Sequence, residues 1–168
     1  MRTLRVAVRV TTPGGSVALV NVHGAGSAFG EQALIDRAAV RSATISALEP
    51  TETLMLSRDA FTALRREHPG VDRLLVEVLS LEVRRLTNRL AEALYEGAET
   101  RVARRLLELD AIYDGIVPLT QDNLASMAGT TRPTTNGVLQ TLVADGIVSL
   151  GRGRIQVLDR AALADRAG

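Results

Sequence analysis

Residues equipped for chemistry cluster in two stretches of this 168-residue chain. The first, residues 119–158, reads LTQDNLASMAGTTRPTTNGVLQTLVADGIVSLGRGRIQVL. Arg132 is a planar, permanently charged fork that can hold guanine O6 and N7 together. Thr131, Thr134 and Asn136 beside it can reach phosphate or base edges, and Thr120 is counted with them. Arg152 and Arg154, either side of Gly153, are placed for phosphates. The second stretch, residues 29–43, begins Phe29-Gly30-Glu31 and carries Arg41 and Ser42 ten and eleven residues after Glu31. A glycine before a helical turn frees backbone N–H groups for an anion. A guanidinium and a hydroxyl could clamp the phosphate while Glu31 accepts from a sugar hydroxyl. An equally open reading makes Glu31 and Arg41 a salt-bridged pair that steadies a loop.

The elements that must carry these residues follow from spacing. Thr120 can cap a helix whose Leu124, Met127 and Ala128 share a face, and Gly129 stops it in a tight turn. Thr131 caps a second helix, with Pro133 in its first turn and Thr135, Val138, Leu139 and Leu142 facing inward until Asp145-Gly146. Strands over 147–150 and 155–158, joined by a Gly-Arg-Gly-Arg turn, complete a helix-turn-helix with a β-hairpin wing. A helix that enters a groove ~12 Å wide must stand proud of its domain with donors in its first turn. Two packed helices of an ordinary small α domain would give a similar pattern; the wing and the first-turn arginine favour DNA.

Upstream, residues 4–10 and 16–22 alternate as strands around a Thr-Pro-Gly-Gly turn, and 43–47 and 53–56 are further short strands. Ser57 caps a helix over 57–67, which His68-Pro69-Gly70 stops. From residue 71 to about 95, Leu75, Leu79, Val83, Leu86, Leu90 and Leu94 step by three and four along one helix face. Such a stripe is commonly a core face, and in a chain with so small a β domain it also suits a dimer seam. A further helix over 98–113 carries Arg101, Arg104 and Arg105, read as a solvated face or as an approach to the DNA backbone. The tail, 159–168, is expected to fray.

Composition excludes several classes. Cysteine is absent, so no disulfide, thiolate cluster or zinc finger exists. Two histidines, His23 and His68, argue against a metal site, and no Ser–His–Asp spacing, GxSxG elbow or Walker loop occurs. An enzyme built on Glu31, Asp36 and His23 lacks a supporting residue set, so no catalytic role is expected. The net charge of +1 means any basic surface is local, and all twenty basic residues are arginine. With no long apolar run or signal-like start, the chain reads as cytoplasmic, with no membrane partner.

GEQALID followed by VRSA resembles the phosphate-binding cassette of cyclic-nucleotide-binding domains. A cassette ahead of a long helix and a winged helix-turn-helix is similar to the CRP/FNR family of bacterial transcription regulators, over nearly the whole chain. The resemblance implies an α+β fold: a partial β-roll (jelly-roll, cyclic-nucleotide-binding-like) at 1–70, a dimerisation helix at 71–96 and a winged helix-turn-helix at 97–168. It also implies that Glu31 binds the ribose 2′-hydroxyl and that Arg41, Ser42 and the backbone near Gly30 bind the phosphate of cyclic AMP or another cyclic nucleotide. Thr87 and Asn88 resemble the polar pair that reaches the base, and register-setting groups between paired helices are the other reading. The expected partners are double-stranded DNA, a second copy of the chain and RNA polymerase. Family members have strands and a helix ahead of the position of Leu4, so the roll is expected to be incomplete at its N-terminus, which motivates a second function: a dimerisation partner that modulates full-length relatives without binding DNA. Pro133 and Gly137 stand where typical members carry a Glu and an Arg, which leaves Arg132 as the guanine donor.

Overall fold

A computed structural model describes residues 5–12, 14–35 and 43–168. Strands β1 (Val6–Thr11), β2 (Val17–His23) and β3 (Thr44–Ala47) form an antiparallel sheet in the order β2-β1-β3, with the short helix α1 (Gln32–Ile35) between β2 and β3. The β1–β2 pairing slips between Val8, opposite Asn21, and Arg9, opposite Leu19. Val20 is therefore an extra, bulged residue. The bulge shifts the alternation so that Leu19 and Val22, three apart, are both buried.

Helix α2 (Arg58–Glu67) starts where expected, with the Ser57 side chain accepting from the Ala60 N–H. Residues 53–56, expected as a strand, are not one. No described strand pairs with them, and Leu54 and Met55 stand fully in solvent. β propensity without a ladder partner leaves extended coil.

The 26-residue helix α3 (Gly70–Tyr95) carries the predicted stripe and buries no residue within the chain. Leu75 and Leu79 are half-buried, whereas Val83, Leu86, Leu90 and Leu94 are all more than half exposed, so the C-terminal part of the stripe is not covered by the described residues of its own chain. Helix α4 (Ala98–Tyr113) then turns through Asp114 and Gly115, both at positive φ, into β4 (Ile116–Val117). Helices α5 (Gln121–Ala128) and α6 (Arg132–Ala144) follow, then the hairpin β5 (Val148–Gly151) and β6 (Arg154–Val157), in a sheet ordered β4-β6-β5.

The tail departs from expectation: Arg160–Ala167 is a helix, α7, rather than a frayed end. Asp159 caps it by accepting from the Ala162 N–H at 2.9 Å, and Leu163 and Ala167 are buried in the core shared with α4. Burying one leucine contributes about 1.5–3 kcal/mol, enough to hold a short, capped helix in place.

One hydrophobic core joins the two ends of the chain. Ala7, Leu19 and Val22 of the N-terminal sheet lie in the same cluster as Val102, Leu106 and Leu109 of α4, Leu124 of α5, Leu139 and Leu142 of α6, and Ile155 of β6. Arg5 adds a polar tie, donating to the Ile112 carbonyl at 3.1 Å and lying 4.4 Å from the centre of the Tyr113 ring. The first sheet is thus docked on the C-terminal helices.

Candidate nucleic-acid interface and effector cleft

The helix-turn-helix is built from local signals. Thr120 caps α5 by accepting from the Asn123 N–H at 3.2 Å, and Gly129 ends it at φ 61°, a conformation that costs a glycine nothing. Thr131 caps α6 in the same way, accepting from the Thr134 N–H, and the two threonine hydroxyls lie 2.9 Å apart. Thr135, Leu139 and Leu142 are buried, which turns the opposite face of α6 outward. Thr131, Arg132, Thr134 and Asn136 are all exposed on that outer face or at its start.

The wing lies against this surface. Thr120, Gln121, Asp122, Arg132, Gly151, Gly153 and Arg154 line one cleft of about 290 Å³ between the starts of α5 and α6 and the hairpin turn. Gly153 holds that turn at φ 67°, and the Arg154 side chain folds over Gly151 so closely that a Cβ there would sit 2.8 Å from Nε. Arg152 projects from the turn into solvent. Arg132 therefore shares a cleft with the wing's Arg154. Its guanidinium Nη1 also stands 3.5 Å from Asp122 Oδ2.

The arginines of α4 are engaged within the protein rather than forming the solvated face expected of them. Arg105 is 2% exposed and bonded to Glu92 of α3 and to both carboxylate oxygens of Glu108. Arg104 reaches Glu92, Glu96 and the Ala167 carbonyl, tying α7 down. Arg101 donates to the Ala128 carbonyl at 2.9 Å and to the Glu96 carbonyl at 2.6 Å. All three bond to other parts of the protein, Arg105 buried and Arg101 and Arg104 half-buried, so none stands as a free cation on a fully solvated face. Nothing in the helical period of α4 distinguishes them from surface arginines. The carboxylates at Glu92 and Glu96, only a turn or two upstream, were the available sign.

A second cleft, of about 380 Å³, opens where β2, α3 and α4 meet, lined by Asn21, His23, Glu82, Arg85, Asn88, Arg89, Glu92, Arg105 and Glu108. Arg89 crosses it. Its Nη1 donates at 2.9 Å to the carbonyl of the bulged Val20, and Nη2 stands 3.7 Å from Glu108. The bulge that disrupts the ladder is thus satisfied by α3. Burial, then the nearby Arg105 and Arg85, lowers the proton affinity of Arg89. Burial, followed by Arg85, likewise holds the His23 imidazole below its ordinary value, against the opposing pull of Glu82 and Glu31.

The cassette residues lie close by. Phe29 has its ring 6.1 Å from that of His23, Gly30 adopts φ 84°, and Glu31 is half-buried at the start of α1. Asp36, Arg41 and Ser42 lie outside the described residues. Thr87 and Asn88 are neighbours on α3. Asn88 lines the cleft, whereas the exposed Thr87 hydroxyl donates to the Val83 carbonyl of its own helix. Among the described residues, no group of three or more His, Asp or Glu is arranged to hold a metal ion, and no helix is long and apolar enough to cross a membrane.

Comparison with known proteins agrees with this division of labour. Residues 5–68 match the cyclic nucleotide-binding domain and residues 100–166 match the Crp-like helix-turn-helix domain. The chain is 38% identical over 157 residues to the cyclic AMP receptor protein of Thermus thermophilus, covering 92% of this chain and 71% of that one. It is 26% identical over 171 residues to a CRP-like cAMP-activated global transcriptional regulator of Mycobacterium tuberculosis, covering 97% and 76%. The structure of FixK2 from Bradyrhizobium japonicum shares the fold, with a TM-score of 0.79 at 21% identity over 98% of this chain and 83% of that one. A winged helix-turn-helix with an exposed recognition helix, joined by a long helix to a cyclic-nucleotide-binding fold, places this chain in the CRP/FNR family of effector-controlled, DNA-binding transcription regulators.

Proposed function

We propose that the chain acts in the cytoplasm as a homodimer that binds an inverted-repeat promoter site, with Arg132 reading a guanine in each half-site and a cyclic nucleotide controlling the dimer. The observation that carries this reading is the shared cleft of Arg132 and the wing, with the outer face of α6 bare. Thr131, Thr134 and Asn136 then flank the base contact, while Thr120, Arg152 and Arg154 hold phosphates on either side. Two-fold symmetry through the open stripe of α3 sets the half-sites one turn, ~34 Å, apart. A promoter-bound regulator of this kind acts on RNA polymerase, the remaining partner. No catalytic step is assigned to the chain.

For the effector, Gly30 and Glu31 suit the sugar-phosphate edge of a cyclic nucleotide: the positive φ of Gly30 keeps its backbone open, and Glu31 is within electrostatic reach of His23, which lines the polar cleft. Cyclic AMP is the first candidate, since relatives are named for it. The nucleotide would supply a phosphate for Arg41 and Ser42 and a 2′-hydroxyl for Glu31, with Asn88 among the α3 side chains on the cleft. Arg89 and Arg105 connect that cleft to α4, which gives binding a route to the DNA-binding helices.

The test is a duplex selected from a random pool by the unmodified protein, together with counterparts in which each G·C of the half-site becomes A·T. Arg132→Ala should abolish the preference at one position, a loss of ~1–3 kcal/mol of discrimination, with the salt dependence unchanged. An equal fall on every duplex would make Arg132 a phosphate anchor. Calorimetry of the whole protein with cyclic AMP and cyclic GMP tests the effector, and absence of binding by both ends that half of the reading.

A further inference from the structure

An acidic side chain on a surface that must approach phosphates needs a reason. Asp122 sits in the first turn of α5, inside the cleft shared by Arg132, Gly153 and Arg154, and is 61% exposed. Its repulsion of a polyanion weakens binding, and the fold gains little from it, since its place in the first turn of α5 and its exposed ion pair are each worth at most about 1 kcal/mol. The orphan N–H of Asn123 is already satisfied by the Thr120 hydroxyl, so Asp122 is not the cap. What Asp122 does reach is Arg132, across the turn between the two helices, at 3.5 Å.

A guanidinium presents five N–H donors along its edges, and a carboxylate held at one edge leaves another fork free. Arg132, on an exposed first turn, otherwise samples many rotamers and can drop onto the nearest phosphate as readily as onto a base. We infer that Asp122 is a specificity-determining residue, whose carboxylate braces one edge of Arg132 so that the free fork is presented to a guanine rather than to the DNA backbone. The pairing suits the role because α5 and α6 are fixed to each other by the buried Leu124, Ala128, Leu139 and Leu142. The brace is therefore anchored on a rigid unit, not on a loop. Asp122 thereby gives up overall affinity and gains selectivity.

This inference rests on the proposed base contact of Arg132, and the test separates the two. Anisotropy titrations use the duplex selected from the random pool and its G·C→A·T counterparts, with the unmodified protein, Asp122→Asn, Arg132→Ala and the double variant. Asp122→Asn should bind every duplex more tightly, yet its preference for the selected duplex should fall about 5-fold, within the range for directly coupled residues. In the Arg132→Ala background the same change should leave the residual preference untouched. If Asp122→Asn shifts selected and substituted duplexes by one common factor, Asp122 is only a repelling charge and the inference is overturned. If Arg132→Ala itself leaves the preference intact, the base contact fails first, and with it the brace.

Discussion

Arg105→Met removes the most deeply buried cation described in the structure and keeps most of the side-chain volume. Arg105 lies on α4, and its guanidinium joins Glu92 on α3 and Glu108 on its own helix. Breaking a buried pair from one side costs roughly 3–5 kcal/mol, because the remaining charge stays desolvated without its partner. Two features lower that figure here. Glu92 keeps Arg104 at 3.1 Å, and Glu108, with its side chain 44% exposed, keeps Arg89 at 3.7 Å and has access to water. A loss of about 2–3 kcal/mol follows. In urea, with a slope of ~2 kcal/mol per molar, the unfolding midpoint should drop by roughly 1–1.5 M. Protomer concentration must be held constant, since association adds to apparent stability. The accompanying variant is Arg105→Met with Glu92→Gln, which removes the stranded charge and should recover part of the loss. A midpoint shift under about 0.3 M for the single variant, or a double variant whose losses simply add, would refute the buried latch between α3 and α4.

Two further outcomes are expected. Leu86→Asp places a charge in the middle of the open stripe of α3, where Leu86 is 53% exposed in the single chain. If that stripe is a two-fold seam, the charge enters it twice and should weaken the dimer by at least about 100-fold, read by sedimentation at micromolar protein; an unchanged dimer would place the contact elsewhere. For His23, burial and Arg85 depress the folded-state value below the ordinary 6.5. The unfolded chain therefore binds more protons, so this contribution is present above pH 6.5 and is lost as the pH falls below it toward the folded value. Between pH 7.5 and 5.5 the urea midpoint should fall further for the unmodified protein than for His23→Gln, and identical falls in the two would show that the imidazole is not held neutral by its burial.

The order of elements around the recognition helix was legible in the sequence because it depends on neighbours a few residues away. Thr120 and Thr131 cap, Gly129 takes the left-handed turn and Pro133 fits a first turn whatever surrounds them. The stripe of α3 was equally plain, since helical period alone sets which leucines share a face. The cassette was legible only as a resemblance, in keeping with the match of residues 5–68 to the cyclic nucleotide-binding domain; spacing alone left Glu31 and Arg41 equally open to a salt bridge, and Arg41 and Ser42 lie outside the described residues. Tertiary structure decided the fate of charges and of marginal segments. Arg101, Arg104 and Arg105 look like surface residues until α3, α5 and α7 bring carboxylates and carbonyls to them. Residues 160–167 form a helix because α4 offers Leu163 a core, and residues 53–56 form no strand because no described strand lies beside them. The slip at Val20 moved Leu19 and Val22 onto one buried face, and a carbonyl freed there found Arg89 sixty-nine residues away. Periodicity reports which face a residue occupies, whereas only packing determines what that face meets, and desolvation makes that meeting decisive for every charge it covers.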